Sequence, residues 1–264
     1  MRLYWEVAKR AFQRQLAYRT ANLAGLVTNA FFGYVRAAIF VAAFVGRGGD
    51  IAGYDMRAAV TYTWVTQAMI MVVMLWGWWE IEKTIKSGDV ISDLSKPFSF
   101  LGFWLARDVG RAIYYLGFRA APIMLVGQVL FGLRWPSSPA VWVVFAVSAA
   151  LALVISFGWR FLVNLSAFWL ADARGIGTVA FTVVYFLSGL VVPLRLLPDA
   201  LRGAVLALPF AGILQTPADV FLERIDGVEL ASALGLQLFW AAALLGAAQF
   251  GVVAATRRVV IQGG

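Results

Sequence analysis

Three arginines lie inside long apolar segments of the sequence, where a charged side chain needs a physical explanation. Arg36, Arg119 and Arg160 are each about four to five residues from the middle of such a segment, or roughly 6–8 Å at a helical rise of about 1.5 Å per residue. An arginine at the centre of a membrane span costs about 2.5–3.5 kcal/mol on insertion scales. The acids lie outside these segments or at their ends, so we expect the arginines to lack carboxylate partners. Each must then extend to the interface, or bind water, backbone carbonyls or an anion in a cavity.

Four amides lie in the same apolar segments: Asn29, Gln67, Gln128 and Asn164. Amides inside a membrane hydrogen-bond between helices, and they can also contact a polar substrate. The sequence leaves both interpretations open. Together with the three arginines, these amides are candidate residues for lining a path through the membrane.

The composition excludes most catalytic chemistry. The chain has no Cys and no His, which excludes thiolate and His-based catalysis and the metal or haem sites that use those ligands. None of its four lysines follows a glycine, so the phosphate-binding pattern GxxxxGK[ST] cannot match. The position of all 14 acids outside the apolar segments or at their ends disfavours coupling to protons or sodium. We therefore expect no catalytic or metal site on this chain, and any ATP must be bound by another protein.

The apolar segments indicate an all-α integral membrane protein. Hydrophobic residues make up 62% of the chain and charged residues 14%, against about 45–50% and about 25% in average soluble domains. A bilayer core of roughly 30 Å requires about 20 helical residues. The sequence predicts a single transmembrane domain over residues 1–264 with six spans, at about 20–45, 58–79, 103–133, 139–170, 176–192 and 230–255.

The N-terminal segment 2–19 reads as a basic amphipathic helix and not as a signal peptide. Lys9, Arg10 and Arg14 alternate with apolar residues at helical spacing, as in helices that lie on a membrane surface. Most of the 22 Lys and Arg lie in this helix, around residues 80–111 or near the C-terminus. The positive-inside rule therefore predicts that both termini are cytoplasmic. In a soluble protein the net charge of +8 would suggest nucleic acid, but here it fits the membrane bias, and we expect no nucleic-acid partner.

The inner loop, residues 80–102, combines both signs of charge with a short apolar stripe of Val90, Ile91 and Leu94. Ser87 or Asp89 can cap a short helix there, and Pro97 forces its end. Such an amphipathic helix suits docking into a groove of a partner. A solvated connector lying on the lipid headgroups remains the alternative.

The outer region, residues 193–229, is apolar but broken by four prolines, so it cannot form one straight helix. Irregular backbone at membrane depth must be buried in protein or line a cavity. The sequence therefore predicts short helices that re-enter the outer leaflet, either as a gate or as a cap that only stabilises the outer ends. The candidate gate residues are Pro193, Pro198, Pro209 and Phe210.

Taken in order, these features resemble the membrane (permease) subunit of bacterial ATP-binding-cassette exporters of the type-two permease class. The resemblance covers nearly the full length. The segments that carry it are the basic N-terminal helix, Ser87-Gly88-Asp89, Leu94 to Pro97, Asn164 to Trp169 before Asp172 to Gly175, Gly189 to Pro198, Pro209-Phe210, and Arg257 to Gly264.

The resemblance implies a pair of permeases, identical or related, with cytosolic ATPase subunits that bind ATP and Mg²⁺, and no cofactor on this chain. By position, 83–95 would be a coupling helix seated in the ATPase, 2–19 an interface helix, and 190–229 an outer re-entrant helical hairpin. The residues implied in coupling are Glu82, Lys86, Gly88, Asp89, Leu94, Lys96 and Pro97.

The same resemblance implies a multi-pass protein of the bacterial inner membrane, surrounded by lipids, that exports an amphipathic or lipid-like compound. Such a compound would be a drug, a natural product or a lipid-linked molecule. A non-transporting membrane scaffold, or a channel or carrier that works alone, remains as the alternative.

Overall fold

A computed structural model of the chain describes residues 2–47, 49–51, 53–75, 78–170 and 173–262, and it is helical throughout these ranges apart from turns and one isolated β-bridge. Asp172, Gly263 and Gly264, which belong to the segments of the resemblance, lie outside the described residues. The α-helices are α1 (Arg2–Ala17), α2 (Arg19–Arg47), α3 (Met56–Val73), α4 (Glu80–Ser87), α5 (Val90–Leu94), α6 (Phe100–Tyr115), α7 (Ala121–Phe131), α8 (Pro139–Leu165), α9 (Arg174–Leu187), α10 (Asp199–Leu206), α11 (Gln215–Phe221) and α12 (Gly227–Gln262).

Four helical segments are long and apolar enough to cross a membrane: Thr20–Gly46, Phe100–Phe131, Pro139–Phe168 and Gly227–Arg257. The spans predicted at 58–79 and 176–192 correspond to the shorter helices α3 and α9, of 18 and 14 residues. An all-helical chain with several candidate membrane spans is therefore confirmed, whereas the count of six spans stays a prediction.

Helix α3 lies at the centre of the bundle, and nearly all of its residues are buried. It can carry threonines there because their hydroxyls are satisfied within the helix. The hydroxyls of Thr61 and Thr63 donate to the carbonyls one turn earlier, at 2.8 and 3.0 Å. At its start the Asp55 carboxylate accepts the N–H of Ala58 at 2.6 Å, as an N-cap.

A π-helical turn, Leu116–Ala120, joins α6 to α7 in the middle of the third predicted span. The N–H of Ala121 bonds to the carbonyl of Leu116, five residues earlier. Pro122 follows at once, and its missing N–H and bulky ring explain why the regular ladder is interrupted here. The turn carries Arg119.

The inner loop is not one helix over 83–95, as predicted, but two. Helix α4 ends at Gly88, which has a φ of +81°, and α5 begins at Val90. Asp89 does not cap α5, because its carboxylate instead accepts the hydroxyl of Ser87 at 2.7 Å. Glycine adopts a left-handed turn without steric cost, so Gly88 breaks the single helix that the resemblance implied over 83–95. The start of α5 at Val90 agrees with the short helix predicted to begin after Ser87 or Asp89.

The outer region folds as α10, α11 and the turns between them, in broken helices as predicted. Pro193 and Pro198 stand directly before helical turns, where a proline fits because the first N–H groups of a helix lack partners. Pro209 and Phe210 are buried, and the ring of Phe210 meets that of Trp159 edge-on, with centroids 5.0 Å apart. Whether this region re-enters a membrane stays a prediction.

Candidate functional site

A cleft of about 410 Å³, here called the central cleft, lies between α2, α3, α9 and the π-helical turn. Four of the seven residues predicted to line a path reach it: Asn29, Arg36, Gln67 and Arg119. The other three, Gln128, Arg160 and Asn164, lie elsewhere. The helices that form the cleft come from three distant parts of the sequence.

Arg36 is held inside the bundle and does not extend to its outer end. Its guanidinium donates to Gln67 Oε1 at 3.0 Å and to the carbonyl of Leu190. Gln67 and Asn29 in turn donate from each side-chain amide to the other's backbone carbonyl, at 3.1 Å in both directions. This pair fixes α2 to α3 beside the arginine, which is the interhelical role considered for the two amides.

Arg119 is buried at the other end of the cleft. It donates to the carbonyl of Asn22 at 3.2 Å, and its guanidinium lies over the ring of Tyr115 at 5.4 Å. Gly25 leaves the space that the guanidinium tip fills, since a Cβ at that position would overlap it. The Nε atom of Arg119 is buried with no hydrogen-bond partner among the described residues.

Arg160 corrects two predictions. The Asp108 carboxylate accepts the Arg160 guanidinium at 2.7 Å and that of Arg111 at 2.8 Å, and all three residues are buried. Asp108 therefore lies inside a span and not at its end, and Arg160 does have a carboxylate partner. The reason is that α6 begins at Phe100, so Asp108 stands about two turns inside the bundle.

This ion triad stabilises the inner end of α3 and does not line the central cleft. Arg111 donates to the carbonyls of Met71 and Val72, and the hydroxyl of Ser156 donates to that of Val73 at 2.6 Å. These are carbonyls that a helix end leaves without intrahelical partners. Arg111 of α6 and Ser156 of α8 thus supply the donors that the missing next turn of α3 would have provided.

Asn164 fastens the inner loop to α8. Its Nδ2 donates to the carbonyl of Trp78 at 2.9 Å, and its Oδ1 accepts the N–H of Glu82 at 3.1 Å. It is therefore an anchor for the loop and not a residue of the cleft. Gln128 lies near the outer end, where it accepts the indole N–H of Trp135 at 2.7 Å.

A second anchor of the inner loop is Glu80, which sequence reasoning did not select. It binds Arg14 of α1 at 3.2 Å and Arg107 of α6 at 2.9 Å, so the first turn of α4 is joined to two helices. Lys9 and Arg10 are exposed on α1. The basic helix predicted at 2–19 is thus present as α1 and contacts the loop, while its place on a membrane surface stays a prediction.

The remaining residues of the inner loop divide into a buried side and an exposed side. Glu82 is buried and pairs with Lys86 at 2.6 Å, and Val90, the first residue of α5, is also buried. Leu94 is half-buried. Of the residues implied in coupling, five are exposed: Lys86, Gly88, Asp89, Lys96 and Pro97. Lys96 pairs with Asp93 at 2.7 Å.

Ile91 is the large apolar residue that the loop exposes, at 56% of its surface. Ile91 belongs to the apolar stripe predicted from the sequence, whereas Leu94 is the stripe residue that the resemblance implied in coupling. Successive residues of a helix differ by about 100°, so the burial of Val90 directs Ile91 outward. This helical spacing is the signal in the sequence that could have identified Ile91 as the exposed residue.

A family comparison agrees with this architecture. Residues 31–263 match the family described as ABC-2 family transporter protein. The chain belongs to the ABC-2 transporter family. No curated protein matches it. ABC-2 membrane proteins are transmembrane transport subunits that are generally non-catalytic and normally work with ATPase partners.

A polar cluster joins the helices and turns of the outer region in this ABC-2 chain. Arg195 donates to Asp219 Oδ2 at 2.7 Å, and Gln215 donates to Asp219 Oδ1 at 3.0 Å. The Tyr62 hydroxyl lies 2.7 Å from Gln215 Oε1 and joins the cluster to α3. Burial raises the pKa of Asp219, and the Arg195 guanidinium acts in the opposite direction. None of the four predicted gate residues, Pro193, Pro198, Pro209 and Phe210, belongs to this cluster.

Proposed function

We propose that this chain is the transmembrane subunit of an ATP-driven exporter. A pair of such permeases, identical or related, forms the translocation path, and separate ATPase subunits bind ATP and Mg²⁺ and dock on the inner loop. The chain crosses the bacterial inner membrane six times with both termini in the cytoplasm. The substrate is amphipathic or lipid-like.

The observation that carries the proposal is the construction of the inner loop. Its exposed side presents Ile91 among charged residues, a surface suited to a groove of a partner. Its buried side is joined to α1 and α6 through Glu80 and to α8 through Asn164. A force applied to the loop therefore reaches three helices of the bundle directly.

Movement of the loop then changes access to the central cleft. The cleft lies between α2, α3, α9 and the π-helical turn that continues α6, and the loop is fixed to α6 through Glu80. A displacement of α6 therefore moves the turn that carries Arg119 relative to α2 and α9, which opens or closes the cleft. The residues assigned to the path are Asn29, Arg36, Gln67 and Arg119. The residues assigned to docking are Lys86, Gly88, Asp89, Ile91, Lys96 and Pro97, with Leu94 beneath them.

The test is co-purification with the ATPase subunit after co-expression in one cell. We expect Ile91→Asp to reduce the recovered ATPase at least about tenfold, because a carboxylate replaces the apolar contact in the groove. The control is Leu201→Asp on α10, since Leu201 is 57% exposed and Ile91 56%, but at the opposite end. The control keeps its ATPase. Full recovery with Ile91→Asp would contradict docking on this loop, and a wild-type chain that purifies alone would favour the scaffold or stand-alone carrier.

A further inference from the structure

The central cleft contains positive charge that the described residues do not neutralise. Its lining includes Arg36 and Arg119 and no Asp or Glu. By contrast, the buried Arg111 and Arg160 and the half-buried Arg195 each bind a carboxylate. An ion removed from water without a partner is unfavourable, so the two cations of the cleft differ from the structural ones.

Packing of a second identical copy on this face does not supply the missing charge. Helices α2 and α9, which border the cleft and expose apolar faces, contain no Asp or Glu. A copy that packs with these helices brings further apolar surface. The absence of acids from both helices favours a bound molecule as the source of the counter-ion.

Both guanidinium groups retain hydrogen-bonding capacity toward such a molecule. A guanidinium has five N–H donors. Arg36 uses its two terminal nitrogens on Gln67 and Leu190, and Arg119 uses one on Asn22, while its buried Nε has no partner within the described part of the chain. Arginine recognises phosphate and carboxylate groups through several such donors at once.

The apolar part of the cleft lining indicates that the ligand also has an apolar part. Apolar side chains of Phe32, Ile70, Met71 and Leu190 share the lining with the arginines. Phe32 is 53% exposed on α2, so the cleft opens on the outside of that helix. A molecule held there can place a charged group inside and an apolar tail in the bilayer.

The two arginines mark two depths of the cleft. Arg119 contacts the carbonyl of Asn22, and Arg36 contacts Gln67, which pairs with Asn29. Asn22 and Asn29 are seven residues apart on α2, or roughly 10 Å along its axis. A headgroup that moves from the inner to the outer end passes one cation and then the other.

We propose that the central cleft binds the anionic headgroup of an amphiphile, a phosphate or carboxylate, with Arg119 and Arg36 as successive contacts. This inference rests on the proposed function and names the substrate class of the same site. It selects the anion-binding interpretation of these two arginines over extension to the interface, and it leaves Arg160 out.

The experiment measures equilibrium binding to the full purified chain in a neutral detergent. The probes are a fluorescent short-chain phosphatidic acid, phosphatidylcholine with the same chains and label, and inorganic phosphate as a competitor. We expect phosphatidic acid to bind about tenfold more tightly than phosphatidylcholine, because only the first is a net anion at the headgroup. Millimolar inorganic phosphate should displace it only partly, since it lacks the apolar tail.

The variants are Arg36→Gln and Arg119→Gln, with Arg202→Gln as the matched control on the exposed helix α10. Each cleft variant should weaken phosphatidic acid binding about three- to tenfold while leaving phosphatidylcholine unchanged, which also shows that the variant is folded. The double variant should lose the preference, Lys at both positions should retain part of it, and Arg202→Gln should behave as wild type.

Equal binding of the two lipids to wild type, or an unchanged preference in the double variant, overturns the proposal. Complete displacement by inorganic phosphate also overturns it, because the ligand would then be a free anion and not an amphiphile. ATPase co-purification is measured on the same preparations. In the wild type, absence of the lipid preference with the ATPase present rejects only this inference, whereas absence of the ATPase with the preference present rejects the exporter.

Discussion

The buried carboxylate of Asp108 binds Arg111 of its own helix, α6, and Arg160 of α8, and Arg111 extends the connection to α3. Removing that carboxylate leaves two buried cations with no counter-ion, which typically destabilises a protein by about 3–5 kcal/mol. The charges of the triad are thus interdependent, and the aspartate is its most sensitive member.

We predict that Asp108→Asn lowers the thermal unfolding temperature strongly, measured by loss of the monodisperse peak after heating in detergent. Asp199→Asn, at an exposed position of α10, is the control and should change little. Adding Arg160→Gln to Asp108→Asn should restore part of the stability. A variant Asp108→Asn as stable as the control would show that the triad does not stabilise the inner end of α3.

Asn164 allows docking and transmission to be separated. Asn164→Leu removes the hydrogen bonds to Trp78 and to the N–H of Glu82 but leaves the exposed side of the loop intact. We predict normal co-purification of the ATPase, with stimulation of ATP hydrolysis by substrate reduced at least about fivefold, because each lost buried bond costs about 1–3 kcal/mol of the loop's attachment. Gln128→Leu, near the outer end, is the control. Normal stimulation in Asn164→Leu would reject the anchoring role.

At the scale of the elements, the contact between α1 and α6 depends on one glycine. A Cβ at Gly110 would overlap the backbone carbonyl of Ala8, which cannot move aside as a flexible side chain can. The close approach lets α1 lie along α6 and place Arg14 at Glu80.

We predict that Gly110→Ala displaces α1 and increases proteolytic cleavage within residues 2–17 several-fold. Gly246→Ala on α12, where a Cβ meets no atom within 4 Å, is the matched control and should be slightly stabilising by helix propensity. Equal protection of α1 in both variants would mean that the helix accommodates the methyl group without moving.

At the scale of the whole molecule, the predicted topology places the inner loop in the cytoplasm and the outer region outside the cell membrane. The chain has no Cys, so single cysteines can be introduced without removing any. We predict that Ser92→Cys reacts with a membrane-impermeant maleimide only after the cells are permeabilised, and Ala200→Cys in intact cells. Ala152→Cys, at a fully buried position, should react in neither state. The reverse labelling pattern would invert the protein and exclude docking of a cytosolic ATPase on the loop.

Much of the helical organisation follows from local properties of the sequence. Apolar runs predicted the long helices, alternation of basic and apolar residues predicted α1, and prolines predicted the broken outer region. The single helix implied over 83–95 by the resemblance spanned Gly88, whereas the cap signals at Ser87 and Asp89 predicted a helix start next to the break. These are signals within one element, so the sequence carries them directly.

The partners of the charged residues are a different matter. The sequence by itself determined an all-helical membrane protein of this family, without Cys or His chemistry and with charges concentrated at particular segments. Only the tertiary structure decided that Arg160 binds Asp108, 52 residues away, and that Asn164 binds the loop, 82 residues away. It also decided that Arg36 and Arg119 share one cleft. Hydropathy and helical periodicity fix which face of a helix is apolar, but the identity of the facing residue depends on how helices distant in the chain pack together.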